Sequence, residues 1–166
     1  MFLYLQNQNE NNKVMIDFSG RYDCKLDDKC RLVLPISFRT KVPKGVSFIV
    51  HKNVFEKSLD IYTPEEWQKH SSEVLAGINI HSREGNRTWM AFNRYRAEVV
   101  VDEKNGRFIV PRFLLDIVGV EKEVVFVGNK NTISLWAKDV LEKVDSEITD
   151  DQFVESYEKL MSRKSL

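Results

Sequence analysis

From Arg21 to Leu26 the chain alternates: Tyr22, Cys24 and Leu26 fall on one side, Arg21, Asp23 and Lys25 on the other. That is the period of a half-buried strand. After four polar or small residues (Asp27, Asp28, Lys29, Cys30) and Arg31, a second short apolar run sets Leu32 and Leu34 on one face, opposite Val33. Pro35 then ends the strand, because proline cannot donate to a ladder, and suits a helix start. The pattern predicts a hairpin with a charged turn, followed by a short helix over 35–39. The chain writes the unit again from Val101 to Pro111, with Arg31 to Arg107 and Pro35 to Pro111 both 76 residues apart (107 − 31; 111 − 35). In this copy Asn105-Gly106 supplies residues tolerant of positive φ for a tight turn. A second short helix follows over 111–115, and Gly119 stands where it should stop.

The echo extends past the hairpins. Strands are predicted over 46–50 and 59–62, and again over 124–127 and 133–136. Thr63-Pro64-Glu65-Glu66 is a helix start with a capping threonine and proline at the first position; that helix carries Trp67 towards Leu75 and closes at Gly77. Residues 137–144 are helical in character at the matching place. Residues 82–96 have no counterpart in the repeat, and there Trp89, Met90, Phe92 and Tyr95 mix with Arg83, Arg87, Arg94 and Arg96. This segment reads either as an amphipathic connecting helix or as a basic, aromatic-interleaved nucleic-acid surface. Thr149-Asp150-Asp151-Gln152 opens a last helix, in which Phe153, Tyr157, Leu160 and Met161 form an apolar stripe in need of a cover. The organisation expected is a disordered, asparagine-rich leader (1–16), a first module (18–67), connecting helices (68–96), a second module (97–144) and an acidic helical tail (145–166). Met15 is a candidate natural start.

Composition narrows the function. The chain has 166 residues, 30% charged, with mean hydropathy −0.38. No apolar run approaches the ~20 residues of a membrane span, and the start is too short and unflanked for a signal peptide, which predicts a cytoplasmic protein. Net charge is zero, but residues 18–96 hold 14 Lys/Arg against 9 Asp/Glu while residues 145–166 hold 3 against 6. Cys24 and Cys30 have no second Cys or His pair beside them, and His51, His70 and His81 are isolated, so no metal site is expected. There is no phosphate-binding glycine loop and no nucleophile motif, hence no cofactor and no enzyme.

The distinctive chemistry is a pair of arginines leaving turns beside a lysine: Arg31 with Lys29, Arg107 with Lys104. Arginine's fork suits phosphate oxygens or the acceptor edge of guanine. Alternatively, Arg31 braces its own turn through Asp27.

These segments resemble the MraZ family of bacterial transcriptional regulators, associated with the division and cell-wall gene cluster. The carrying stretches are Leu26 to Pro35, Leu59 to Trp67, Asn105 to Pro111, and Val127-Gly128 through Leu135-Trp136, covering roughly residues 18–144. The family pattern is Asp, three residues, then Arg, with glycine before the arginine. Here Cys30 replaces the first glycine; in the second copy either Glu103 takes the acidic place or the turn is one residue longer, since Asp102 lies too far upstream. The resemblance implies an α+β, mainly β fold: a double-split β-barrel made from two tandem AbrB/SpoVT-like swapped-hairpin modules, with connecting and C-terminal helices. It implies a nucleoid-associated repressor that binds short direct repeats in promoter DNA as a ring-shaped homo-oligomer larger than a dimer. The expected DNA contacts are Arg31 and Arg107, supported by Lys25, Lys29, Lys104 and Arg39, with Asp27, Glu103 and Gly106 shaping the turns. The alternative within the fold is an antitoxin-like protein acting through a protein partner.

Overall fold

The computed structural model describes residues 15–165. The leader expected over 1–16 lies outside them except for its last two residues, of which Ile16 already packs against the core. The chain is mixed α+β, organised around its sheets. Strands β1 (Arg21–Lys25), β2 (Arg31–Val33), β3 (Ser47–Lys52) and β4 (Leu59–Tyr62) come from the first copy, with the short helix α1 (Ile36–Arg39) between β2 and β3. Helices α2 (Pro64–Ala76) and α3 (Arg83–Phe92) follow. The second copy supplies β5 (Arg96–Val100), β6 (Arg107–Ile109), α4 (Arg112–Ile117), β7 (Glu123–Asn129) and β8 (Thr132–Ala137), and α5 (Lys138–Glu147) and α6 (Asp150–Ser162) end the chain.

The expected hairpins do not form. Six strands make one sheet in the order β1-β7-β8-β4-β3-β5, and β2 pairs only with β6. Each turn does close locally, with Asp27 N–H donating to Arg31 C=O at 3.0 Å and Asp102 N–H to Arg107 C=O at 2.9 Å. Beyond that bond the strands part and each finds a partner in the other copy: β1 on β7, β5 on β3, β2 on β6. A reason lies in the sequence. Each second strand has three residues before a proline that lacks the N–H needed to continue a ladder. Pro35 and Pro111 sit just before the first helical residue rather than at it.

The pairing has an internal two-fold. Ile49 faces Tyr62 as Val125 faces Trp136, and His51 faces Arg96 as Val127 faces Arg21. The pseudo-dyad passes between β4 and β8 at the Asp60–Ser134 pair and between β2 and β6 at Leu32–Phe108. Both copies feed one continuous core, including Phe38, Phe48, Leu59, Leu114, Phe126 and Leu135. Each fully buried side chain of this size contributes roughly 1.5–3 kcal/mol. β4 is buried along its whole length and β8 from Ile133 onward, because helices cover the sheet's second face. There α5 sets Leu141 against Val125 and Trp136, and α2 sets Trp67 beside His51 and Tyr62.

The segment 82–96 is a helix only to Phe92. Trp67 and Phe92 stack at 5.8 Å, Trp89 stacks on Phe92 at 5.5 Å, and Arg96, already on β5, lies over the Trp67 ring at 5.3 Å. The aromatic side of this segment thus packs on the first copy, while its arginines remain exposed. No helix among the described residues is long and apolar enough to cross a membrane.

Candidate nucleic-acid interface

The two charged turns are built by the same device with one residue of difference. In the first, buried Leu26 anchors the end of β1. Asp27 then turns back: one carboxylate oxygen accepts from the amides of Lys29 (2.9 Å) and Arg31 (2.8 Å), and the other accepts from Arg31 Nε at 2.7 Å. Short acidic side chains favour turns for this reason. In the second, buried Val101 is the anchor and Asp102, not Glu103, shapes the turn. Its carboxylate accepts from the amides of Lys104 (2.8 Å) and Asn105 (3.1 Å), while the Asn105 side chain accepts from the Arg107 amide at 2.9 Å. The turn is therefore one residue longer, and Glu103 is freed to lie over Gly45. Hydrogen bonds to these carboxylates, chiefly from the Arg31 amide to Asp27 and from the Asn105 amide to Asp102, hold both acids below the usual carboxylate range. Both acids are thus ionised at neutral pH.

Each turn has its left-handed residue immediately before the arginine: Gly106 at φ +71° and Cys30 at φ +57°. Glycine takes this conformation freely; a residue with a Cβ does not. Cys30 therefore occupies the glycine's place in backbone geometry as well as in sequence.

Strand exchange then brings the arginines together. β2 and β6 pair antiparallel, with Arg31 opposite Ile109, Leu32 opposite Phe108 and Val33 opposite Arg107. Leu32 and Phe108 point into the core, so Arg31, Val33, Arg107 and Ile109 share the outer face of a two-stranded ribbon. Arg31 and Arg107 are diagonal neighbours there, a relation that places Cα atoms about 7–8 Å apart. Both line a shallow depression of about 440 Å³ with Glu98, Asp102 and Asn105. The arginines are unequal: Arg31 is tied to Asp27, whereas the Arg107 side chain has no hydrogen bond or ion pair among the described residues.

The other expected cations lie differently. Lys29 and Lys104 are exposed on the turns. Lys25 reaches Glu123 across the β1–β7 pair, at 3.7 Å. Arg39 is half-buried and packs over the second turn, so that a Cβ on Gly106 would come within 2.6 Å of its side chain; its Nε is buried without a hydrogen-bond partner. Sequence reasoning passed over Val33 and Ile109, which stand exposed between the arginines. The alternation Arg31-Leu32-Val33 carried the signal, since it puts Val33 on the arginine's side. Among the described residues no group of three or more His, Cys, Asp or Glu could hold a metal ion.

The comparisons with known proteins agree with one another. A family model described as "MraZ protein, putative antitoxin-like" matches residues 18–85. A transcriptional regulator MraZ of Christiangramia forsetii is 31% identical over 149 residues, 89% of this chain and 94% of that protein. One of Cytophaga hutchinsonii is 34% identical over 127 residues, 76% and 83% of the two chains. One of Caldanaerobacter subterraneus subsp. tengcongensis is 30% identical over 141 residues, 85% and 94% of the two. With relatives 30–34% identical over three quarters or more of its length, the chain belongs to the MraZ family of transcriptional regulators.

Proposed function

We propose that this protein is a sequence-specific DNA-binding repressor that reads promoter DNA with the outer face of the β2–β6 ribbon. The observation that carries this reading is the convergence of Arg31 and Arg107, from copies 76 residues apart, on one exposed two-stranded ribbon. A ribbon of two strands is narrow enough to enter a major groove, where arginine pairs with the two acceptors of guanine. Val33 and Ile109, between the arginines, suit apolar contact with thymine methyls. Lys29 and Lys104, on the flanking turns, are placed for phosphates, with Lys25 and the exposed part of Arg39 further back. The turn carboxylates of Asp27 and Asp102 are engaged by backbone amides and so repel the DNA backbone less than free acids would.

The expected targets are short direct repeats upstream of the protein's own gene, in a division and cell-wall gene cluster. One ribbon offers few phosphate contacts and the chain has no net charge. Tight binding then calls for several chains on linked repeats, which raises avidity by ~10²–10⁴. We therefore read the working form as a closed ring larger than a dimer, acting in the cytoplasm at the nucleoid. We also read the strand exchange as the signature of a double-split barrel, in which two AbrB/SpoVT-like modules of one chain take the place of two chains.

The test is a salt-titrated binding assay on the upstream DNA. Loss of a bidentate base contact costs ~1–3 kcal/mol, so Arg31→Ala/Arg107→Ala should abolish specific binding. Lys29→Ala and Lys104→Ala should weaken all sequences alike and flatten the salt dependence. Wild-type promoter affinity in the double arginine variant would refute the assignment. A second reading, an antitoxin-like protein acting through a protein partner, draws on the uncovered apolar stripe of α6. A protein of different sequence that co-purifies in fixed stoichiometry through residues 145–166 would favour it.

A further inference from the structure

The internal two-fold makes its exceptions conspicuous. In the second copy β7 and β8 are joined by two residues, 130–131; in the first, β3 and β4 are joined by six, 53–58. This longer loop lifts Val54 and Phe55 into solvent, with Phe55 93% exposed. Helix α3, which also has no counterpart in the second copy, stands across from it. Between loop, α2 and α3 runs an apolar groove of about 680 Å³ whose walls include Phe55, Val74, Ile78, Ala91, Phe92 and Ile117. The second exception is α6. Its first turn is fixed by a reciprocal cap, with Thr149 Oγ1 accepting from the Gln152 amide and the Gln152 side chain accepting from the Thr149 amide. Yet every residue of the helix is exposed, including the stripe of Phe153, Val154, Tyr157, Leu160 and Met161.

We infer that α6 of one copy seats in the α2–α3 groove of a neighbouring copy, and that this head-to-tail contact links the chains. The inference rests on the assembly part of the function proposed above. Three features fit donor to acceptor. The stripe has the i, i+4, i+7, i+8 spacing of a helix laid in a groove, and its 13 residues span ~20 Å. The groove is apolar on the side the stripe would meet. The charges are opposite: α6 carries Asp150, Asp151, Glu155 and Glu158 against Lys159, while residues 83–96 carry Arg83, Arg87, Arg94 and Arg96 against Glu84. All four arginines are exposed. A contact between two unlike surfaces is heterologous, and repeating it either closes a ring or extends a filament.

The experiment mixes broken halves. A tail variant, Tyr157→Glu/Leu160→Glu, and a groove variant, Val54→Asp/Phe55→Asp, alter only exposed residues, so far-UV circular dichroism should match wild type. By light scattering at micromolar concentration the full-length wild-type chain should be larger than a dimer and each variant monomeric. The two variants mixed in equal amounts should form a one-to-one heterodimer, since only one intact tail and one intact groove remain. If either variant keeps the wild-type mass, the α6–groove contact is refuted while the ring reading survives. If the variants are monomeric and their mixture stays monomeric, α6 and the groove are not partners. A monomeric wild type would end both readings.

Discussion

The residue before each arginine offers a reciprocal test of the two turns. At Cys30, φ +57° places a Cβ-bearing residue in left-handed conformation, which costs ~1–2 kcal/mol. Cys30→Gly removes that strain but adds the flexibility of an unfolded glycine, about 0.5–1 kcal/mol. The net expectation is a gain of roughly 0.5–1 kcal/mol, or about 1–4 °C in Tm for a chain of this size. At Gly106, φ +71°, alanine takes on the strain that Cys30→Gly relieves. It also meets Arg39, because its Cβ would lie 2.6 Å from Arg39 Cδ, Nε and Cζ. Gly106→Ala should therefore destabilise by ~1–3 kcal/mol. In an Arg39→Ala background the steric part disappears, so the cost of Gly106→Ala should shrink, a coupling that a double-mutant cycle reads directly. Thermal unfolding followed by tryptophan fluorescence would measure all of these, at one fixed protein concentration because assembly moves Tm by mass action. Effects of the same sign at the two positions would refute the equivalence of the turns. Additivity of Gly106→Ala with Arg39→Ala would refute the contact.

The two arginines should separate in stability even where they act together on DNA. Arg31→Ala strips Asp27 of its Nε partner and should lower Tm, whereas Arg107→Ala should leave stability within ~0.5 kcal/mol, as paired thermal melts would report. Burial raises the Asp60 carboxyl above its ordinary range, opposed by hydrogen bonds from Asn53 and Ser134. The folded state therefore binds the proton more tightly, and stability should fall as pH rises from about 4 through the folded pKa. Asp60→Asn should lose that slope in urea titrations and be more stable than wild type at pH 7. Burial pushes His51 down, and its ring Nε2 lies 2.6 Å from the Phe92 carbonyl. Its contribution should be complete above pH ~6.5 and decline as pH falls towards the folded value, a limb that His51→Gln should flatten.

How much of this was legible in the sequence depends on the range of the interaction. Strand positions, helix starts and the capping box at Thr149 were legible, because alternation and caps are written within a few residues. Strand partners were not. Tyr22 to Leu34 has everything a hairpin needs, and the turn closes as one, but the three residues of β2 pair with their counterparts on β6 in the other copy instead of with β1. The length of the second turn was left open because Asp102 and Glu103 are adjacent acids; backbone amides aimed at Asp102 decided it. With Asp102 as the equivalent of Asp27, the first strands are 75 apart (102 − 27) and the arginines 76 (107 − 31), so the extra residue lies inside the turn. The aromatic side of 82–96 is held down because Trp89 stacks on Phe92, and Phe92 meets Trp67 and His51 of α2 and β3. The groove escaped notice because its walls, from Phe55 to Ile117, are more than 60 residues apart in the chain.

The same internal symmetry explains what a tandem chain can do that two identical chains cannot. On the pseudo-dyad Asp60 faces Ser134, with both side chains buried. In a dimer of identical chains the facing residues would be the same, either two buried acids repelling one another or two serines. A single chain can instead place one acid and one hydroxyl there, and the hydroxyl donates to the acid. The freedom recurs at each departure from symmetry. Arg21 is bound by Asp145 at 2.5 Å and 3.0 Å, while its counterpart Arg96 stacks on Trp67. Trp67 itself stands where the second copy has Leu141. One turn arginine is braced and the other left free. On the function proposed above, a ribbon with one braced and one unpaired arginine would read its two half-contacts unequally, which would give it a direction along the groove. Direction is what the proposed binding to direct repeats would require: every chain on such a site would face the same way, and a truly two-fold ribbon would not distinguish the two orientations.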